Sequence, residues 1–176
     1  MAIPPEFETA RLTLHRLALD DAPFLIRLLN DPSFIANIGD RGVRSIEDAH
    51  RYLREGPFAM YQRYGFGLWR AVRRTDGEPV GMCGLLRRDT LPDADLGYAY
   101  LPEYWGQGYA FEAAAATLQH AARKFGLTRV IGVVSPGNTA SIRVLEKLGM
   151  QFERMFPMNP DEPEVRLYGR TLAAAD

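Results

Sequence analysis

The sequence predicts a mixed α+β fold: a central, twisted, mostly antiparallel sheet of about seven strands flanked by about four helices. Three observations carry this. Short apolar runs alternate with turn signals, and the pair flanking Thr75-Asp76-Gly77-Glu78 makes an antiparallel hairpin. Two later stretches with helical spacing each stop at a glycine, Gly126 and Gly149, and pass into strand-like sequence. The chain has 176 residues, which suits one domain burying about 70% of its unfolded surface, so residues 1–176 are read as a single domain.

Leu12, Leu14 and Leu17 lie close to period 2 around Thr13 and His15, so TLHRL reads as the first strand with His15 on its wet side. Asp20 or Asp21 can cap a helix carrying Phe24, Leu25, Leu28 and Leu29, which Asn30-Asp31-Pro32 ends. IANIGDRGVR is then an irregular loop. Ser45 and Asp48 form a capping box that starts a second helix, and Gly56-Pro57 breaks or kinks it. Strands are expected over Phe66 to Val72, Val80 to Leu86 and Asp95 to Tyr100. In the last of these, Leu96, Tyr98 and Tyr100 share one face, and Asp95, Gly97 and Ala99 share a small-residue face able to accept a ligand.

The helix from Gly108 to about Lys124 puts Phe111, Ala115, Leu118, Ala122 and Phe125 on its apolar stripe, and Glu112, Gln119, His120 and Arg123 in solvent. Val130 to Val134 is a continuous apolar run typical of a buried strand. Asn138 begins a helix with Ile142, Leu145 and Leu148 inward, and strands over Gln151 to Met158 and Val165 to Thr171 flank the acidic loop NPDEPE.

Composition narrows the function. The chain is 47% hydrophobic and 24% charged with a formal net charge of −1, so it has no broad basic field to recruit nucleic acid. The opening MAIPPEFETARL has neither a basic n-region nor an apolar run, and no segment approaches the roughly 20 apolar residues that span a bilayer. A cytoplasmic protein without a membrane partner is expected, as a monomer or homodimer. The single cysteine, Cys83, sits in the apolar run VGMCGLL and reads as a core residue; no Cys/His cluster has metal-ligand spacing, so no metal is expected.

The stretch YLPEYWGQGYAFEAAAA, Tyr100 to Ala116, carries the chemistry. A strand ends near Leu101, a turn with Gly106 and Gly108 follows, and an Ala-rich helix starts at once. The first turn of a helix holds N–H groups without acceptors and the positive end of the macrodipole, while the glycines let a phosphate approach the backbone. A Walker A loop would need Lys and Ser/Thr where Tyr109-Ala110 stand. A dinucleotide fingerprint would need a small residue at Phe111 and an acid after Val134. Both fail.

Trp105-Gly106-Gln107-Gly108-Tyr109-Ala110, followed by Glu112-Ala113, resembles the acyl-CoA pyrophosphate turn of the GNAT superfamily of N-acetyltransferases, especially its RimJ/RimL-like branch. Asn138-Thr139-Ala140-Ser141, continuing through Glu146-Lys147-Leu148-Gly149-Met150 to Phe152, resembles the same family's second CoA-contacting helix and following strand. The likeness extends to TARLTLHRL and LGYAYLPEYWG, covers nearly the whole chain, and agrees with the element order above.

The resemblance implies the GNAT fold and direct attack of a primary amine, on a protein or peptide N-terminus or a small molecule, on the thioester of acetyl-CoA. Backbone N–H groups across Gln107 to Ala110 would hold the pyrophosphate, and the strand ending at Tyr100-Leu101 would pair with the pantetheine amides. An N–H near Tyr98 to Tyr100 would face the oxyanion. In many members a Tyr on the second helix protonates the departing thiolate; its place here is Leu145, which cannot. Asn138 and Ser141 share a helix face near the sulfur end, or simply cap the helix, and Ser141 is the replacement acid. Asp95 is the candidate base, with Glu103 and Glu112 weaker choices. A non-catalytic acyl-CoA sensor is the alternative.

Overall fold

The computed structural model describes residues 3–174, so the first residues of MAIPPEFETARL and the last two of the closing LAAAD tail lie outside the described residues. Strands β1 (Phe7–Glu8) and β2 (Leu12–Arg16) come first, then helices α1 (Ala22–Leu29), α2 (Pro32–Asn37), α3 (Ile46–Leu53) and α4 (Ala59–Tyr64). Strands β3 (Leu68–Arg73), β4 (Pro79–Leu86) and β5 (Asp95–Tyr100) follow. The remainder is α5 (Tyr109–Phe125), β6 (Arg129–Val134), α6 (Thr139–Lys147), β7 (Gln151–Pro157) and β8 (Glu164–Thr171).

The strands make one eight-stranded sheet in the order β1-β2-β3-β4-β5-β6-β8-β7. Every neighbouring pair is antiparallel except β5 and β6. Helices α5 and α6 cover one face over Leu12, Leu14, Trp69, Cys83 and Leu85. Helices α1 and α3 cover the other over Leu17, Met82 and Leu101. Cys83 is a core residue, fully buried, its thiol pushed up to about 12 by burial.

As expected, Gly56-Pro57 interrupts the helix: α3 stops at Leu53, one π-helical turn over Arg54–Phe58 takes in Pro57, and the chain runs on into α4, stopped by Gly65 at φ 79°. Three expectations change. The loop IANIGDRGVR begins inside a short helix, because the Asp31 side chain accepts the Ser33 N–H at 2.9 Å and Pro32 occupies the first turn. On α5 the buried positions are Tyr109, Ala113, Ala114, Thr117, Leu118 and Ala121, so the helix is turned from the stripe through Phe111 and Ala115, bringing alanines against the sheet. His120 is not solvated: Phe7 on β1 lies 4.6 Å from its ring and Glu6 hydrogen-bonds it at 3.4 Å. Asp21 also differs in detail. It stands at the α1 N-cap position, yet its carboxylate takes the Ala18 N–H at 2.8 Å and pairs with Arg70.

Strands β5 and β6 meet at a single register pair, Asp95 with Ile131, where the Ile131 N–H donates to the Ala94 carbonyl at 3.0 Å. Beyond it they part. Leu101 donates its N–H to Val80 on β4, and alternation along that antiparallel ladder turns the backbone groups of Leu96, Tyr98 and Tyr100 toward β6. The gap between the strands is therefore lined by backbone polar groups of Tyr98 and Tyr100 outside any strand ladder.

Candidate active site

The turn before α5 is built as an open helix N-terminus. Gly106 and Gly108 have φ of 72° and 83°, a region costly for residues with a Cβ, and Gly108 occupies the N-cap position without a capping side chain. The N–H groups from Gly106 to Phe111 meet no acceptor among the described residues; the ladder resumes with Glu112 N–H donating to the Gly108 carbonyl at 3.0 Å. Those donors, at the positive end of a 17-residue helix, fit a pyrophosphate.

Arg11 braces this turn. Its Nη1 donates to the Gln107 carbonyl at 2.9 Å, its Nε to Glu112 Oε2 at 2.7 Å, and its guanidinium lies over the Tyr109 ring at 4.4 Å. Glu112 also accepts from Thr9 Oγ1 at 2.7 Å and from the Arg11 N–H at 2.8 Å. Burial raises the Glu112 carboxyl, but these bonds outweigh it and hold the group below its ordinary value. Glu112 therefore ties the β1–β2 connection to the turn. Glu103 pairs with Arg27 on α1. Gln107 Nε2 donates to the Glu103 carbonyl at 3.2 Å, and Ala110 is half-buried.

Along β5, the Tyr100 carbonyl accepts from Trp105 Nε1 at 2.8 Å, and the Leu101 N–H belongs to β4. The backbone groups left to face the gap are those of Tyr98 and the Tyr100 N–H. The Tyr98 side chain leaves β5 toward α6, where its phenol lies 2.8 Å from Ser141 Oγ and 3.2 Å from the Ser141 carbonyl oxygen. Asn138 caps α6, its Oδ1 accepting the Ser141 N–H at 3.2 Å. Leu145, one turn on, is buried against Gly132 on β6, where a Cβ would sit 3.1 Å from Leu145 Cδ2.

Asp95 stands where β5 and β6 begin to part, and it is buried, 2% exposed, rather than a surface acid at a strand end. Its Oδ1 has no hydrogen-bond partner among the described residues, and Arg88 Nη2 lies 3.7 Å from Oδ2. Burial pushes the carboxyl up to about 6, with Arg88 pulling the other way and losing. Alternation along β5 puts Asp95 on the face opposite Leu96, Tyr98 and Tyr100, which pack toward α5 and α6. The gap thus has a buried carboxyl on one face of the sheet and a pair of hydroxyls on the other.

The sequence reading missed Arg11, although its place in TARLTLHRL was in plain view, and it missed the Tyr98 phenol. The first has no local signal, since its partners are roughly a hundred positions away. The second could have been found from the face assignment on β5 together with Ser141 on α6. Two surface hollows lie elsewhere: one of about 280 Å³ beside Tyr64, Phe66 and Arg129, and one of about 220 Å³ beside Arg41 and Tyr52. The β5–β6 opening is a cleft defined by strand divergence.

Residues 11–151 match the acetyltransferase (GNAT) domain. The uncharacterized protein YkkB of Bacillus subtilis is 37% identical over 93 residues, a match spanning about half of each protein, 52% of this chain and 54% of YkkB. The uncharacterized N-acetyltransferase YoaA of Bacillus subtilis is 30% identical over 85% of this chain and 84% of its own. An acetyltransferase from Agrobacterium tumefaciens superposes with a TM-score of 0.78 at 27% identity, covering 97% of this chain and 95% of that one. A ribosomal-protein-S5-alanine acetyltransferase from Vibrio fischeri shares the fold, with a TM-score of 0.77 at 18% identity over 94% and 95% of the two chains. The chain belongs to the GNAT acetyltransferase family, whose chemistry is acetyl-CoA-dependent N-acyl transfer.

Proposed function

We propose that residues 1–176 act as one N-acetyltransferase domain that moves the acetyl group of acetyl-CoA to a primary amine, on a protein or peptide N-terminus or on a small molecule. The observation that carries this reading is the parting of β5 and β6 after Asp95 and Ile131, next to a helix N-terminus whose N–H groups from Gly106 to Phe111 meet no acceptor among the described residues. Pyrophosphate on that turn and thioester in that gap is the arrangement these groups favour. The names of the relatives do not favour the sensor reading.

In this reading Gln107 to Ala110 bind pyrophosphate through the backbone, with Trp105, Gly106 and the Arg11 brace shaping the turn. Tyr98, Tyr100 and Leu101 line the pantetheine path, and the Tyr98 N–H, aimed at β6, donates to the thioester oxygen as negative charge grows there. Asn138 orders the first turn of α6 so that Ser141 meets the departing sulfur. Asp95, directly or through a water, takes the proton that the attacking nitrogen sheds; a carboxyl held near pH 6 by burial is a better base than an ordinary one. Overall R–NH3⁺ and acetyl-CoA give the acetamide, the free thiol of CoA and one proton. No metal enters the scheme. The net charge of −1 offers no broad basic field for nucleic acid, and among the described residues no helix is long and apolar enough to cross a membrane; a cytoplasmic enzyme is the reading we adopt.

Release of free thiol from acetyl-CoA, followed across a panel of amines and peptides, tests the proposal. Amine-dependent release is expected. Tight binding of acetyl-CoA with no amine-dependent release would overturn it in favour of a sensor.

A further inference from the structure

The Tyr98 phenol is within hydrogen-bond distance of two acceptors on one residue, Ser141 Oγ at 2.8 Å and the Ser141 carbonyl oxygen at 3.2 Å. A phenol has one proton and serves one of them at a time. If it donates to the carbonyl, the serine hydroxyl donates back to the phenol oxygen and its proton is turned away from the gap. If it donates to Oγ, it fills a serine lone pair and releases the serine proton to point elsewhere. The shorter contact is the one to Oγ.

We propose that Tyr98 is a positioning residue for acetyl transfer, its phenol donating to Ser141 Oγ and so turning the Ser141 proton toward the departing sulfur. This rests on the proposal above that Ser141 meets the departing sulfur, here as a hydrogen-bond donor to it rather than as the acid that gives up its proton. The surroundings make the contact well suited to that task. The Tyr98 ring packs into the cluster beneath α5 and α6, which limits its rotamers. The Ser141 N–H is held by Asn138 Oδ1 at 3.2 Å, which fixes the backbone that carries the hydroxyl. Leu145 faces the core, so the next turn of α6 presents no hydroxyl in its place.

Burial pushes the phenol up to about 12, with its bond to Ser141 pulling the other way. An ordinary thiol titrates near 8.5, so passing the phenol proton to the thiolate would run uphill by more than three decades. The pair therefore stays protonated and works as two hydroxyl donors in series, each polarising the next, against negative charge on sulfur. In the step itself the amine nitrogen forms the C–N bond, the C–S bond breaks, and sulfur leaves with the electron pair. The nitrogen's proton goes to the Asp95 carboxylate and on to water, and the thiolate later takes one from water. Tyr98 and Ser141 end the cycle as they began.

The test compares kcat, KM for acetyl-CoA and melting midpoint in Tyr98→Phe, Ser141→Ala and the double variant. Losing one such hydrogen bond is expected to lower kcat about three- to tenfold in Tyr98→Phe, leaving KM within about twofold and the midpoint lower by no more than about 2–4 °C. Ser141→Ala is expected to be slower still, and the double variant no slower than Ser141→Ala, because Tyr98 acts through Ser141. Wild-type kcat in Tyr98→Phe, or effects on kcat that multiply in the double variant, would each overturn the role of Tyr98. Wild-type kcat in Ser141→Ala would overturn the Ser141 reading itself, a result visible in a different variant.

Discussion

Asp95→Asn separates chemistry from packing at the base of the cleft. The residue is 2% exposed, one of its oxygens has no partner among the described residues, and Arg88 is 3.7 Å away on a side chain that is itself 38% exposed. Such a pair gains little from Coulomb attraction, and burial prevails, holding the carboxyl at about 6. Against an ordinary carboxyl near 3.9, a rise of roughly two units at 1.36 kcal/mol each is roughly 3 kcal/mol. The folded state binds this proton more tightly than the unfolded chain does. Its contribution to stability is therefore greatest below about pH 4, declines as pH rises to about 6, and is fully lost above that. Asparagine carries no charge to desolvate, so the variant should be as stable as the parent at pH 7 or more stable by up to about 3 kcal/mol, with a flatter stability profile between pH 4 and 6. Activity should move the other way, falling by about a hundredfold or more, and the limb near pH 6 in the parent's rate profile should vanish. Urea melts at pH 4.5 and 7 and thiol release over the same range give both readings. A variant that keeps parental activity would remove Asp95 from catalysis. One that loses several kcal/mol at pH 7 would make it a structural partner of Arg88 instead.

Three further expectations concern the frame of the cleft. The Tyr100 hydroxyl is buried with no partner among the described residues, so Tyr100→Phe should leave activity unchanged and raise stability by about 1 kcal/mol, read as a higher melting midpoint. Gly108→Ala places a Cβ at φ 83°, which should cost about 1–2 kcal/mol and raise KM for acetyl-CoA, since the same methyl crowds the pyrophosphate turn; an unchanged KM would argue against phosphate at that turn. Glu112→Gln weakens the charged bonds to Arg11 and should raise KM for acetyl-CoA about fivefold at unchanged kcat, whereas a fall in kcat at saturating acetyl-CoA would put Glu112 in the chemistry.

What could be read from the sequence depended on whether a residue's partners were local. Strand β5 appears with the expected bounds, Asp95 to Tyr100, because its alternation and the following Pro102 are local signals. The capping box at Ser45 and Asp48 and the glycine stops at Gly126 and Gly149 are equally local, and all are present. The orientation of α5 was not legible, since alanines make both faces similar and only packing on the sheet decides which is buried. His120 was misread because β1 folds over it from more than a hundred positions away, bringing Glu6 and Phe7. At the site, the glycine turn and the place of Ser141 followed from motif and periodicity. The burial of Asp95 did not, because it depends on β4 and β6 flanking β5 at that residue, and the contact between Tyr98 and Ser141 needed the fold that brings β5 beneath α6.

A crystal structure with acetyl-CoA bound would show whether the cofactor occupies this cleft. Pyrophosphate oxygens are expected on the N–H groups between Gly106 and Phe111, the thioester in the β5–β6 gap with its oxygen on the Tyr98 N–H, and sulfur facing Ser141 Oγ on the side away from Asp95. Pyrophosphate away from that turn, or a thioester outside the gap, would contradict the proposal.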